Sequence, residues 1–101
     1  MSKIRRSAKG EQCTVRLPFI CTHNPETVVL AHGNGSAYDK GMGAKSRDWQ
    51  AAYCCAACHD VVDRRRKPPE GWTHDDVKLA FAEGVMRTQQ ILERKGLLVA
   101  A

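Results

Sequence analysis

Five cysteines in a chain of 101 residues, three of them inside Cys54-Cys55-Ala56-Ala57-Cys58 with His59 and Asp60 directly behind, constrain this protein more than any other feature. A Cys-x-x-Cys turn brings two thiolates within reach of one ion at ~2.3 Å, as tetrahedral zinc requires. Cys55 and Cys58 have that spacing. Cys13 and Cys21 are further apart than the arms of a usual knuckle and must be brought together by a turn through Pro18. The four form one structural zinc site, and Cys54 points elsewhere as a small buried hydrophobe. An odd number of thiols, behind a basic start (Met1-Ser2-Lys3-Ile4-Arg5-Arg6) with no apolar run, argues for reduced cysteines and metal over a disulfide framework, and for the cytoplasm. A single domain of this size has a marginal core, so a metal staple is of use. No stretch approaches the ~18 apolar residues of a membrane span.

The formal charge is +5, and it is unevenly spread. Residues 1–20 carry five basic side chains against Glu11, and Arg64-Arg65-Arg66-Lys67 is the one dense run. Four thiolates around Zn²⁺ give a site of charge −2, which brings +5 to +3. Nucleic acid is the natural acidic partner for such a surface, although a basic face is also common on proteins that bind none.

Residues 1–11 show no periodicity and read as a flexible basic arm ahead of one ordered domain, residues 12–101. Thr14-Val15-Arg16-Leu17 alternates as a short strand that Pro18 confines to an edge. After a turn at Asn24-Pro25, the β-branched and apolar run Thr27-Val28-Val29-Leu30-Ala31-His32 predicts a buried strand ending in His32. Residues 33–47, with four glycines and three cations, predict a long loop that lacks the context of a phosphate-binding P-loop. Asp48 through Cys54 predicts a return toward the metal, as a strand or, given its alanines, a helix. A short helix is expected over residues 58–66, stopped by Pro68-Pro69, with the basic run at its C-terminal end, where the helix dipole favours cations. Asp60 then sits near that helix's start. The last helix is the clearest: Thr73 as N-cap, Asp76 closing a capping box, Val77, Phe81, Val85, Thr88 and Leu92 on one face, and Gly96 as the stop.

Two histidines can add chemistry to this scaffold. His59 and Asp63, one helical turn apart, can face a second, hard divalent ion, although Asp63 can equally pair with Lys67, and His59 can serve as the fourth zinc ligand should Cys13 or Cys21 not take part. His32, at a strand end before a glycine, can look into a loop-lined cleft. A metal-held phosphate and a base of near-neutral pKa are the requirements for phosphodiester hydrolysis.

The order Cys13, Cys21, Leu30-Ala31-His32 and Cys55-x-x-Cys58-His59 resembles the treble-clef HNH (ββα-metal) endonucleases with a four-cysteine zinc. The chain is more similar still to the phage and prophage nucleases of the YbcO type, the family labelled DUF1364. The stretches that carry this likeness begin at Arg5 through Cys13, Asn24 through His32 and Ala57 through Arg65, and continue with Glu83-Gly84-Val85-Met86-Arg87-Thr88-Gln89. The resemblance implies an α+β class: a small zinc-stabilised ββα fold with an added C-terminal helix. It implies His32 as general base and His59, with Asp63, as ligand of catalytic Mg²⁺ or Mn²⁺. It also implies a phage- or prophage-encoded protein in a bacterial cytoplasm, acting on DNA in replication or recombination. Arg5, Arg6, Arg64, Arg65, Arg66 and Lys67 would contact phosphates, with Lys3 beside them. The chain departs from the pattern at Ala31, where such enzymes carry Asp or His, and at the middle Asn, for which Asp48, Gln50 and Asn34 are the candidates. Those departures keep a second reading open, a zinc-stabilised DNA-binding or recombination-accessory module without cleavage. A third reading is a protein-binding treble clef with no salt-dependent DNA affinity.

Overall fold

The computed structural model describes residues 3–32 and 48–97, so the glycine-rich segment 33–47, with Asn34, lies outside the described residues. The fold is a small α+β arrangement built on one antiparallel hairpin. Strand β1 (Val29–His32) pairs with β2 (Ala51–Cys54) in the register Val29 with Cys54, Leu30 with Tyr53, Ala31 with Ala52 and His32 with Ala51. A 3₁₀ turn at Pro25–Thr27, capped by the Asn24 side chain, launches β1, and a second at Asp48–Gln50 leads into β2. All four β2 residues are buried, which suits its small alanines: they let the long C-terminal helix lie close against the strand.

Helix α1 (Lys3–Ser7) is the first departure from expectation, because the segment read as a free arm is packed against the hairpin. Ser7 Oγ donates to the Ile4 carbonyl at 2.6 Å and therefore accepts from the Tyr53 hydroxyl, also at 2.6 Å. Ala8 is buried, Glu11 pairs with Lys95, and the Lys95 ammonium also lies 5.9 Å from the Tyr53 ring centroid. These partners are some forty to ninety positions away in sequence, which is why local polarity misread the segment.

No strand forms at Thr14-Val15-Arg16-Leu17. Arg16 and Phe19 adopt left-handed backbone (φ 54° and 61°), and Leu17 O accepts from both Ile20 N and Cys21 N, so the chain from Cys13 to Cys21 is a tight loop. Helix α2 (Ala56–Val62) begins two residues earlier than expected and ends earlier too. Arg64, at φ 64°, turns the chain so that Arg65 N and Arg66 N reach the Asp60 carbonyl. The stop is thus this left-handed residue and not Pro68-Pro69, and the basic run follows the helix instead of forming its last turn. Asp60 accordingly serves the C-terminal turn of α2 rather than its start.

Helix α3 (His74–Arg94) matches its reading throughout. Thr73 and Asp76 form the capping box, Val77, Phe81, Val85, Thr88 and Leu92 are buried, and Gly96 at φ 73° closes the end with Leu97 N on Leu92 O. Among the described residues no helix is long and apolar enough to cross a membrane.

Candidate metal centre and active site

Cys55 is the N-cap of α2, and its Sγ accepts from Cys58 N at 3.5 Å, the local bond that folds a Cys-x-x-Cys turn onto one ion. The tight loop delivers Cys13 and Cys21 to the same place: the Sγ atoms of Cys13, Cys21, Cys55 and Cys58 all lie within 4.8 Å of one another. A tetrahedron of Zn–S bonds of ~2.3 Å has S···S edges of about 3.8 Å, and Cys55 Sγ stands 3.9 Å from Cys21 Sγ. The four residues fit zinc in donor type, number and spacing. Three are buried, and Cys21 is the half-exposed member, with His23 Nδ1 3.7 Å from its sulfur.

The fifth thiol, Cys54, is buried and stands outside the group of four converging thiols. The neighbouring Cys54 and Cys58 thiols draw the Cys13 thiol well below its ordinary range, and Cys13 in turn pushes both of them up. Burial pushes Cys21 up to about 11.

Helix α3 grips the Cys13–Cys21 loop, a role that its cap and apolar face alone do not reveal. An ideal Cβ on Gly84 would stand 2.9 Å from Val15 Cγ2 and 3.2 Å from Val15 Cα, so the loop rests directly on the helix at this glycine. One turn on, Arg87 donates to the Thr14 carbonyl at 2.8 Å. Thr88 Oγ1 accepts from Tyr53 N at 3.0 Å and meets Thr14 Oγ1 at 3.0 Å. Thr14 in turn reaches Tyr53 O through its N–H (2.8 Å) and its hydroxyl (2.9 Å). Since the Thr14 proton goes to that carbonyl, the Thr88 hydroxyl donates to Thr14. Gln89 adds a bond to the Trp49 carbonyl at the entry to β2. A glycine and a threonine within an otherwise apolar stripe were the available signal, because such residues mark places where backbone comes close. Tyr53 belongs to this core, while Trp49 is exposed.

The histidines are placed by different elements. His59, on α2 directly after Cys58, is half-buried with Nε2 3.1 Å from Asp63 Oδ2. A neutral imidazole donating from Nε2 keeps its lone pair on Nδ1, the usual way a carboxylate prepares a histidine for a metal. Asp63 Oδ2 also lies 3.4 Å from Arg65 NH2, whose guanidinium holds Asp60 at 3.0 Å. Because α2 ends at Val62, Lys67 is not one helical turn beyond Asp63, and the pair Asp63–Lys67 gives way to Asp63–Arg65.

His32 is half-buried at the last rung of the hairpin, opposite Ala51. It stands three rungs from the end that feeds α2, about 10 Å at ~3.3 Å per residue. Of the candidates for an orienting amide, half-buried Gln50 is next to the rung of His32. Lys3, Arg5, Arg6, Arg64, Arg66 and Lys67 are exposed, and Arg65 is exposed while tied to its carboxylates.

Comparison with known proteins agrees with this architecture. The family model described as "Putative nuclease YbcO" matches residues 2–97. The "Putative nuclease YbcO" of Escherichia coli (strain K12) is 39% identical over 100 residues, covering 99% of this chain and 100% of its own. A protein of the same description from Enterobacteria phage 82 matches equally, at 39% over 100 residues. The solved structure of "a putative bacteriophage protein from Escherichia coli str. K-12 substr. MG1655" superposes with a TM-score of 0.72 at 37% identity, over 93% of this chain and 100% of that one. With the family model spanning nearly the whole chain and relatives matched end to end, this protein belongs to the YbcO family.

Proposed function

We propose that this protein is a metal-dependent DNA endonuclease of the HNH type, on a treble-clef scaffold held by structural zinc. The observation that carries the reading is His59. It follows the last zinc thiolate on the first turns of α2, with a carboxylate on Nε2 and Nδ1 left as its ligand atom. A zinc ion on the four converging cysteines would lock that helix start to the Cys13–Cys21 loop and hold His59 in place.

In this reading His32 takes the proton from the water that attacks phosphorus, as the P–O bond to the leaving strand breaks. His59 would hold Mg²⁺ or Mn²⁺, and the ion would supply Lewis-acid stabilisation of charge on the scissile phosphate. Asp63 orients His59, and Arg65 holds Asp63 in place. Gln50 is the nearest candidate to orient His32. Arg5, Arg6, Arg64, Arg66 and Lys67 contact backbone phosphates, giving affinity without sequence choice, and Arg65 joins them only with its outward face. Relatives in E. coli and in a phage fit a prophage-encoded protein acting on DNA in replication or recombination within the bacterial cytoplasm.

A second reading, a DNA-binding accessory module without cleavage, draws on Asp63 being engaged by Arg65 and on Ala31 standing where a further ligand would be. The test is to incubate zinc-loaded protein with supercoiled and single-stranded DNA, adding Mg²⁺ or Mn²⁺ in turn, beside His32→Ala with zinc content and circular dichroism matched. Cleavage by the parent alone supports the nuclease with His32 as base. Salt-sensitive binding without cleavage by either protein moves the assignment to the accessory module.

A further inference from the structure

We propose that Phe19 is a stacking platform for an unpaired base of DNA, which makes single-stranded or frayed DNA the preferred ligand. This inference rests on the DNA-acting reading above. Among the described residues Phe19 is the large apolar side chain that is fully exposed, at 100% of its reachable surface. It also has left-handed backbone, φ 61°, a conformation unfavourable for a bulky side chain and free for glycine. An aromatic that is both unburied and strained gains nothing from folding. Strain at an exposed position points to a role outside the fold.

The backbone that carries it is tied down on both sides. Cys13 and Cys21, two of the four converging thiols, close the loop at both ends. Leu17 is buried beneath it, and its carbonyl accepts from Ile20 N at 3.3 Å and Cys21 N at 2.9 Å, bracketing Phe19. On the same loop Arg16 is exposed, also left-handed, and fixed by Nε donating to Cys13 O at 3.2 Å. An exposed ring and a cation on one tied-down loop, in a chain of charge +5, make the pairing that single-strand binders use, with the ring on the base face and the cation on the phosphate. A protein interface is the poorer match. Its neighbours along the chain, Pro18, Thr22, His23 and Asn24, are exposed and mainly polar, unlike the apolar surface a protein interface would need. Bases within a duplex are already stacked on one another, so the ring distinguishes unpaired from paired DNA.

The experiment is fluorescence anisotropy of full-length, zinc-loaded protein with a labelled single-stranded oligonucleotide and with a duplex of equal length at fixed salt. Parent, Phe19→Gly and Phe19→Trp are compared, and sedimentation of each is followed. Stacking on one aromatic is worth ~1–3 kcal/mol per base, so Phe19→Gly should weaken single-strand binding by about 5-fold to 150-fold and duplex binding by less than about twofold. Phe19→Trp should retain the parent's affinity. Glycine suits φ 61°, so Phe19→Gly should melt no lower than the parent, which separates lost binding from lost folding. Equal single-strand affinity for parent and Phe19→Gly overturns the proposal while leaving the DNA-acting reading intact. So does a parent that self-associates through this residue and becomes monomeric on Phe19→Gly. A parent with no salt-sensitive DNA binding overturns both.

Discussion

Replacing Thr88 by valine removes one buried hydroxyl and keeps the side chain's shape, so its cost isolates the bond network that joins α3 to the metal loop. Thr88 Oγ1 is the acceptor for Tyr53 N at 3.0 Å, on the side of β2 turned away from β1. In Thr88→Val that buried N–H loses its acceptor, which costs about 2 kcal/mol within a range of ~1–3. The Thr14 hydroxyl keeps its bond to Tyr53 O, so little is added there. Thr14→Val removes only one of two donors to the Tyr53 carbonyl, the other being Thr14 N at 2.8 Å, and should cost about 1 kcal/mol. The double variant should cost less than the sum by at least ~0.5 kcal/mol, because each single change also disables the Thr14–Thr88 bond. For a domain of this size ~2 kcal/mol is a fall in Tm of roughly 10 °C. Urea and thermal unfolding of zinc-loaded protein, followed by circular dichroism, measure these values. Thr14 adjoins Cys13, and Tyr53 lies two residues before Cys55, so a colorimetric chelator should also extract zinc faster from Thr88→Val. A Thr88→Val protein within 0.5 kcal/mol of the parent, or additive costs in the cycle, would refute the network as described.

Three further perturbations test other parts of the structure. Gly84→Ala gains about 1 kcal/mol of helix propensity but drives a methyl into Val15, where overpacking costs ~1–3 kcal/mol, so the variant should be less stable, and a raised Tm would contradict the close approach at 2.9 Å. Phe19→Gly relieves left-handed strain without losing packing and should stabilise by about 1 kcal/mol in urea titrations. Zinc retention should fall with acid: Cys21, pushed up to about 11 by burial, holds its proton tightly, so protons compete with the metal increasingly as pH drops, and affinity measured from pH 8 down to 5 should decrease monotonically.

The four-cysteine constellation was legible because Cys-x-x-Cys chemistry is local and because zinc chemistry demands four donors, which Cys13 and Cys21 were there to complete. The capping box at Thr73 and Asp76, the buried face from Val77 to Leu92 and the stop at Gly96 were legible for the same reason: each rests on residues within one or two helical turns of each other. The N-terminal helix, the Cys13–Cys21 loop and the end of α2 were not. Ser7 finds Tyr53, and Glu11 finds Lys95, across most of the chain. Arg16, Phe19 and Arg64 take left-handed backbone that their side chains disfavour and that no propensity predicts.

By itself, then, the order of residues pointed to the four-cysteine cluster, to a first strand ending at His32, though one expected to be buried where only Ala31 is, and to the long helix, since short-range hydrogen bonding and periodicity write those into neighbouring positions. Tertiary structure alone decided that Ser7 meets Tyr53, and that Gly84, Arg87 and Thr88 pack on the Cys13–Cys21 loop. Such contacts depend on where distant backbones come to lie, and a buried polar group takes whichever partner the packing brings within reach.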